Sequence, residues 1–322
     1  MKGKTGPAAS SLRAVLDTYM DSAVAVVGCN SRGLGRYSCE YDVLVVSNDR
    51  RPPTSLKIGD VFADLTFVPE KEALKPLDPE HAMSMALAKP VRDTSLVLST
   101  SSAANAAMFS ESARKASRTR LASSLKTLAR SEEALSQGVA LDADFWLLAA
   151  SYEFGYSWLL SRESLPSPSH LLSQLREAKG SPRSFEAFSM GAGLGAAGRA
   201  GCGARLEGVA VLHDLLKEGT RTATESSWPA VRTDIMSAKA GELIARIELA
   251  ECYSFLGQEL VDALLAVLKL YPKKTLSSIA SGGDRLIGER LLRQLGLARD
   301  AKVVRAGVDA LKEQVALLTK KA

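Results

Sequence analysis

The chain has 322 residues, 46% hydrophobic and 24% charged, the balance of an ordinary folded protein of about two domains. Its longest uncharged run, Thr94–Ser110, is rich in Ser, Thr and Ala, which argues against a membrane span. The net charge of +5 is local: residues 114–130 hold six bases (Arg114, Lys115, Arg118, Arg120, Lys126, Arg130) and no acid, and the remainder is near neutral. This excludes a generally basic, DNA-coating protein and leaves one basic face. Met1–Ser11 carries two Lys and no apolar run, so no signal peptide is expected. The four Cys, at 29, 39, 202 and 252, form no CxxC and no Cys/His motif. Neither a zinc site nor a disulfide framework is expected, and the expected location is a reducing cytoplasm.

In chain order, residues 9–20 place Leu12, Val15, Leu16 and Tyr19 at helical spacing behind a Ser cap. Ala23–Val27 is a short branched apolar run and is expected to be a buried strand. It ends in Gly28-Cys29-Asn30-Ser31-Arg32-Gly33-Leu34-Gly35-Arg36, which is loop chemistry. Tyr41–Val46 is expected to be a second strand and Val61–Val68 a third, with the Pro-containing stretch Asn48–Thr54 between them. A helix around Glu80–Lys89 and a short strand Leu96–Leu98 follow. From residue 101 onward the pattern predicts helices near 103–136, 142–161, 168–178, 204–218, 232–256, 257–270, 283–296 and 300–318. The expected fold class is α+β: a small mixed-sheet domain over residues 1–100, then an all-α domain over 101–322 with a candidate subdivision near 181–203.

Chemistry concentrates in residues 28–64. Residues two apart on a strand share a face, so Glu40 and Asp42 present two carboxylates side by side. Two adjacent anions ask for a cation between them, and Mg²⁺ takes oxygen ligands from carboxylates and substrate phosphates. Asp64, inside the apolar run Val61–Val68, joins them if its strand pairs beside the second. Asp60, on the same face but nearer the loop, competes for that place. Paired metals bridged by carboxylates are the apparatus of phosphoryl and nucleotidyl transfer. Gly28 allows close backbone approach to phosphate, and Ser31, Arg32 and loop amides can hold its oxygens.

Gly28, the Glu40-Tyr41-Asp42 triplet and Asp64 match, in order, spacing and strand context, the signature of the DNA polymerase β-like nucleotidyltransferase superfamily, which this stretch resembles over about residues 10–100. The resemblance implies a minimal nucleotidyltransferase domain followed by a helical domain of prokaryotic or archaeal type that forms the other wall of the cleft. It implies an NTP substrate, Mg²⁺ or Mn²⁺ held by Glu40, Asp42 and Asp64, and triphosphate contacts from Gly28, Cys29, Ser31 and Arg32. Two positions depart from the pattern. Cys29 stands where the family has Ser, and Glu40 where it has Asp. A thiol is a poorer phosphate ligand, and Glu is one methylene longer. An inactive nucleotide-binding or partner-binding module is therefore the alternative to an enzyme, and a third option is modification of a partner toxin or RNA.

Other features carry less. Gly193-Leu194-Gly195-Ala196-Ala197-Gly198 matches GxGxxG, but no strand-like segment precedes it, so close helix packing or a flexible connection is expected. Arg162 and His170 have the wrong spacing for a ribonuclease pair, and His81 and His213 are read as structural or surface groups. Tyr152, Phe154, Tyr156 and Trp158 are expected in the core. In the basic segment, Leu121, Leu125 and Leu128 are expected to form the apolar stripe. Arg114, Arg118, Lys126 and Arg130 are a candidate phosphate or RNA face. The acceptor is RNA, a protein or a small molecule, and no membrane partner is expected.

Overall fold

The computed structural model describes residues 16–220 and 231–320, apart from 37, 49, 50, 60, 76, 179–181, 272, 273, 282–287 and 298. The chain forms two compact units, Met1–Lys115 with Pro229–Ala238, and Ala116–Trp228 with Lys239–Ala322. Among the described residues no helix is long and apolar enough to cross a membrane.

The first unit is built on a five-stranded mixed sheet: β1 (Ala23–Val27), β2 (Tyr41–Val46), β3 (Thr54–Ile58), β4 (Val61–Val68) and β5 (Lys89–Arg92). The order is β3-β4-β2-β1-β5, with β2 and β4 parallel and every other pair antiparallel. Strict alternation along the central strands sorts two cores. Ala23, Ala25, Leu44 and Val46 pack on one face with Ala73, Met85, Val97 and Leu98 of the covering helices. Val24, Val43, Val45, Ala63 and Leu65 pack on the other with Leu16. Arg92 fastens the first described turn to the sheet, donating from Nη1 to the carbonyls of Leu16 (3.3 Å) and Tyr19 (2.8 Å).

Strands β1, β2 and β4 lie where the apolar runs place them. The helix expected over 9–20 is described only from Leu16, where a short helical stretch gives way to a turn, and residues 9–15 lie outside the described residues. Two edge strands were not expected. Thr54–Ile58 is half-exposed, and Lys89–Arg92 contains Pro90, tolerated because an edge strand leaves one N–H side unpaired. The helix expected to reach Lys89 ends at Ala86. Leu96–Leu98 is not a strand. Leu96 has a left-handed φ of 58°, and Val97–Ala107 is a helix whose first amides are held by Asp93, which accepts from Leu98 N (3.0 Å) and Ser99 N (2.7 Å).

Among its described residues the second unit is built from helices and contains no strand. The helix Ala140–Leu160 is buried along nearly its whole length, including Tyr152, Phe154, Tyr156 and Trp158. It runs antiparallel to the later part of the helix Phe109–Ser136, and three buried serines fix the pair. Ser117 Oγ reaches Ser157 O (2.9 Å), Ser124 Oγ donates to Ala150 O (2.9 Å) and Ser131 Oγ to Ala143 O (2.7 Å). Two acids at the start of Ala140–Leu160 hold distant segments. Asp142 accepts from Leu276 N (2.8 Å) and Ser277 N (3.1 Å), and Asp144, fully buried, accepts from Arg299 N (2.8 Å) and Nε (2.8 Å). Arg299 also donates to the carbonyls of Met190 and Gly191.

The region 181–203 contains a helix, Pro182–Gly191, that was not expected, and the next begins at Arg199. Its glycines serve close packing: a side chain on Gly191 would meet Ser151 Oγ at 1.9 Å, and one on Gly201 the Ala196 carbonyl at 2.4 Å. The break expected at 256/257 falls instead at 246–248, where Ile247 has φ of 61°, and Leu249–Leu270 is one helix. Gly257 sits inside it because Tyr152 Oη fills the space its side chain would take, 2.2 Å away. Of the helix expected over 283–296, Glu289–Gln294 is described.

Candidate functional site

Strand register builds the site. Val27, the last residue of β1, lies opposite Asp42, and Asp42 lies opposite Asp64 on the parallel neighbour. The turn that follows β1 is therefore at the start of β2, and two carboxylates sit side by side on the face that carries Leu44 and Val46. Glu40, two residues before Asp42, shares that face. One carboxylate oxygen from each of Glu40, Asp42 and Asp64 lies within 4.8 Å of the other two. Glu40 Oε2 and Asp64 Oδ1 are buried from solvent. Two unit charges 4.8 Å apart repel by about 3–4 kcal/mol at an effective dielectric of ~20, so the cluster favours a cation.

The donor set fits a hard divalent ion. Mg²⁺ holds oxygens at about 2.0–2.1 Å, so two ligands of one ion lie at most about 4.2 Å apart. The cluster, at 4.8 Å or less, needs little contraction. Asp60, the alternative third acid, lies outside the described residues.

The turn Gly28–Ser31 is held against this cluster. Gly28 has φ of 69°, and a Cβ there would come 1.9 Å from Asp42 Oδ2, so the carboxylate occupies the space a side chain would need. Ser31 donates from Oγ to the Gly28 carbonyl (3.0 Å), as does Arg32 from Nε (3.3 Å). Ser31 is buried, and its hydroxyl donates within the turn. Arg32 is half-buried; desolvation lowers its pKa, against the opposing charge of Asp42. Cys29 is buried, and its thiol is pushed well above the usual thiol range by a hydrogen bond to Cys39, then by burial and the neighbouring acids.

Two features were not read from sequence. Asn30 donates from Nδ2 to the Glu40 backbone carbonyl (2.6 Å), tying the turn to the residue that leads into β2. Gly35 makes room for it, since a Cβ there would meet Asn30 Oδ1 at 2.0 Å. An amide side chain within a glycine-rich loop was the available signal. The cysteines, scattered in sequence, also form two neighbouring pairs. The Cys29 and Cys39 sulfurs lie within 4.8 Å, and Cys202 neighbours Cys252.

On the helix Phe109–Ser136, Arg114, Arg118, Lys126 and Arg130 are all exposed. The charge is partly engaged. Lys115 pairs with Glu111 (2.6 Å), Arg120 with Glu153 (3.1 Å), and the Arg130 guanidinium lies 4.5 Å from the Trp146 ring centroid. Leu121 and Leu128 are buried, but Leu125 is 47% exposed; the apolar stripe runs instead through Ser117 and Ser124. His81 bonds Asp78 at a helix start, and His213 is buried with Nε2 3.8 Å from a Glu259 carboxylate oxygen.

No family model and no curated protein matches the sequence. Among solved structures, a nucleotidyltransferase-like protein from Exiguobacterium sibiricum is similar to this chain, with 14% identity over 89% of this chain and 86% of that one, and a TM-score of 0.37.

Proposed function

We propose that this chain is a divalent-metal-dependent nucleotidyltransferase, moving a nucleoside monophosphate from an NTP to a hydroxyl or phosphate acceptor on RNA, a protein or a small molecule. The observation that carries the reading is the convergence of Glu40, Asp42 and Asp64 within 4.8 Å, beside a turn whose glycine admits no side chain. Glu40 and Asp42 would hold the cations, with Asp64 as a third ligand. Bound Mg²⁺ or Mn²⁺ supplies charge neutralisation of the triphosphate and lowers the pKa of the acceptor hydroxyl. Asp64 takes the hydroxyl proton. The acceptor oxygen bonds to the α-phosphorus, and the bond to the departing pyrophosphate breaks. Gly28 lets the backbone approach the triphosphate, and Arg32 adds positive charge beside Asp42.

The test is incubation of wild type and Asp42→Asn with each labelled NTP, Mg²⁺ or Mn²⁺, and RNA or protein acceptors. Wild type should transfer label and release pyrophosphate. The folded Asp42→Asn protein should lose transfer and metal-dependent NTP binding. Unchanged NTP affinity in this variant refutes the site.

A second reading has a specific observation in its favour. Ser31 donates its proton to the Gly28 carbonyl, and Cys29 carries a buried thiol where a hydroxyl would serve a phosphate better. A nucleotide-binding module without catalysis would bind NTP and release no pyrophosphate in the same experiment.

A further inference from the structure

We infer that Cys29 and Cys39 form a reversible disulfide under peroxide, and that this bond disables the carboxylate cluster. The effect on metal binding rests on the reading above; the disulfide does not.

The two thiols bracket the site. Cys29 follows Gly28, which touches Asp42, and Cys39 precedes Glu40. Their sulfurs already lie within 4.8 Å, and a disulfide needs about 2.05 Å, so closure draws them together by at most about 2.8 Å. Both are mostly buried, at 7% and 4% exposure, so the test uses a small oxidant, hydrogen peroxide, in place of a bulky disulfide.

The chemistry balances. Peroxide oxidises one thiol to a sulfenic acid and leaves one water. The second sulfur then attacks that sulfur, the S–S bond forms, and the hydroxyl leaves as a second water with the remaining thiol proton. A thiol reductant returns both groups.

Closure acts on the backbone beside the cluster. The turn is braced on both sides of Cys29: Gly28 has no room to approach Asp42, and Asn30 is bonded to the Glu40 carbonyl. Drawing the sulfurs together pulls on Cys29, next to Gly28, and on Cys39, next to Glu40, and so loads the backbone that carries the turn and the first acid. Displacements near 1 Å are enough to cost a positioned site about a hundredfold. The pair Cys202 and Cys252 is an internal comparator. Cys202 donates to Leu249 O (3.3 Å) and Cys252 to Ala240 O (3.8 Å), in the other unit of the chain.

The experiment uses the full chain, treated with hydrogen peroxide and then catalase. It is read by non-reducing peptide mapping, by Mn²⁺ titration and by hydrogen exchange of residues 27–46. Expected are a peptide linking Cys29 to Cys39, at least a tenfold loss of Mn²⁺ affinity reversed by dithiothreitol, and no peroxide effect in Cys39→Ser or Cys39→Ala. Absence of the linked peptide overturns the proposal, as does a linked protein with unchanged Mn²⁺ affinity. If the reduced protein binds no Mn²⁺, the functional reading fails. The disulfide switch is then judged on exchange alone: faster exchange at 28–31 and 40–42 on oxidation supports it, and unchanged exchange overturns it.

Discussion

Replacing Gly28 by alanine tests how tightly the turn and the acid cluster are joined. Two costs add. A left-handed φ of 69° costs an L-residue about 1–2 kcal/mol. The new Cβ would also stand 1.9 Å from Asp42 Oδ2, where contacts under 3.0 Å are essentially never found, so the carboxylate must retreat by more than an ångström. Pushing a side chain off its rotamer costs about 0.5–1.5 kcal/mol more. Gly33 separates the terms: its φ is 77° and nothing lies within 4 Å, so Gly33→Ala carries the backbone cost alone. Gly28→Ala should therefore lose about 2–3 kcal/mol, and Gly33→Ala about 1–2 kcal/mol. Amide exchange of Val43–Val45, the buried centre of β2, reads the opening free energy locally. Mn²⁺ titration should show a weakened site only in Gly28→Ala. If the two variants lose equal stability and bind Mn²⁺ equally, the contact between Gly28 and Asp42 is not what the geometry says.

Three further outcomes are expected. Asp144→Ala should cost about 3–5 kcal/mol in the helical unit, because Arg299 loses its buried carboxylate; Trp146 and Trp158 report the unfolding, and a loss under about 1 kcal/mol would refute the role. Burial raises the Asp93 carboxyl, but hydrogen bonds from Ser99 and neighbouring amides outweigh this and depress it below its ordinary 3.8. Its contribution is thus complete above that value and lost as pH falls through the depressed one, so the stability gap between wild type and Asp93→Asn should be steady at pH 5–7 and close below about pH 4; a gap that persists at pH 2 refutes it. If the exposed bases of Phe109–Ser136 contact RNA, affinity should fall with salt at a log–log slope of about −0.7 per neutralised phosphate, and Arg118→Ala/Lys126→Ala should flatten it; equal indifference of both proteins to RNA at low salt removes that partner.

The parts legible in the sequence are those where one physical demand acts alone. Strands β1, β2 and β4 are buried by the covering elements, so their apolar runs are unambiguous. The acids at 40, 42 and 64 stand out because an apolar strand gives no other reason for them. Edge strands β3 and β5 answer to solvent as much as to the core, and their polar residues and Pro90 hide them. The helix break expected at 256/257 is absent because Gly257 marks the approach of Tyr152 Oη and not a chain break. The partnerships of Asn30 with Glu40 and of the cysteines arise from tertiary contact alone, at separations no local motif encodes.

The serine contacts between the helices Phe109–Ser136 and Ala140–Leu160 recur at positions 117, 124 and 131, facing 157, 150 and 143. Seven residues make nearly two full turns, with a drift of only about 20°. Evolution of this pair is therefore restricted in its step size. A one-residue insertion between two of the serines would rotate those beyond it by ~100° and leave their hydroxyls and the facing carbonyls mismatched. A seven-residue duplication in both helices would extend the same seam. Length variation among relatives of this chain should come in sevens here, with single insertions collecting at the Gln137–Gly138 turn, where Gly138 has φ of 72° and open space around it.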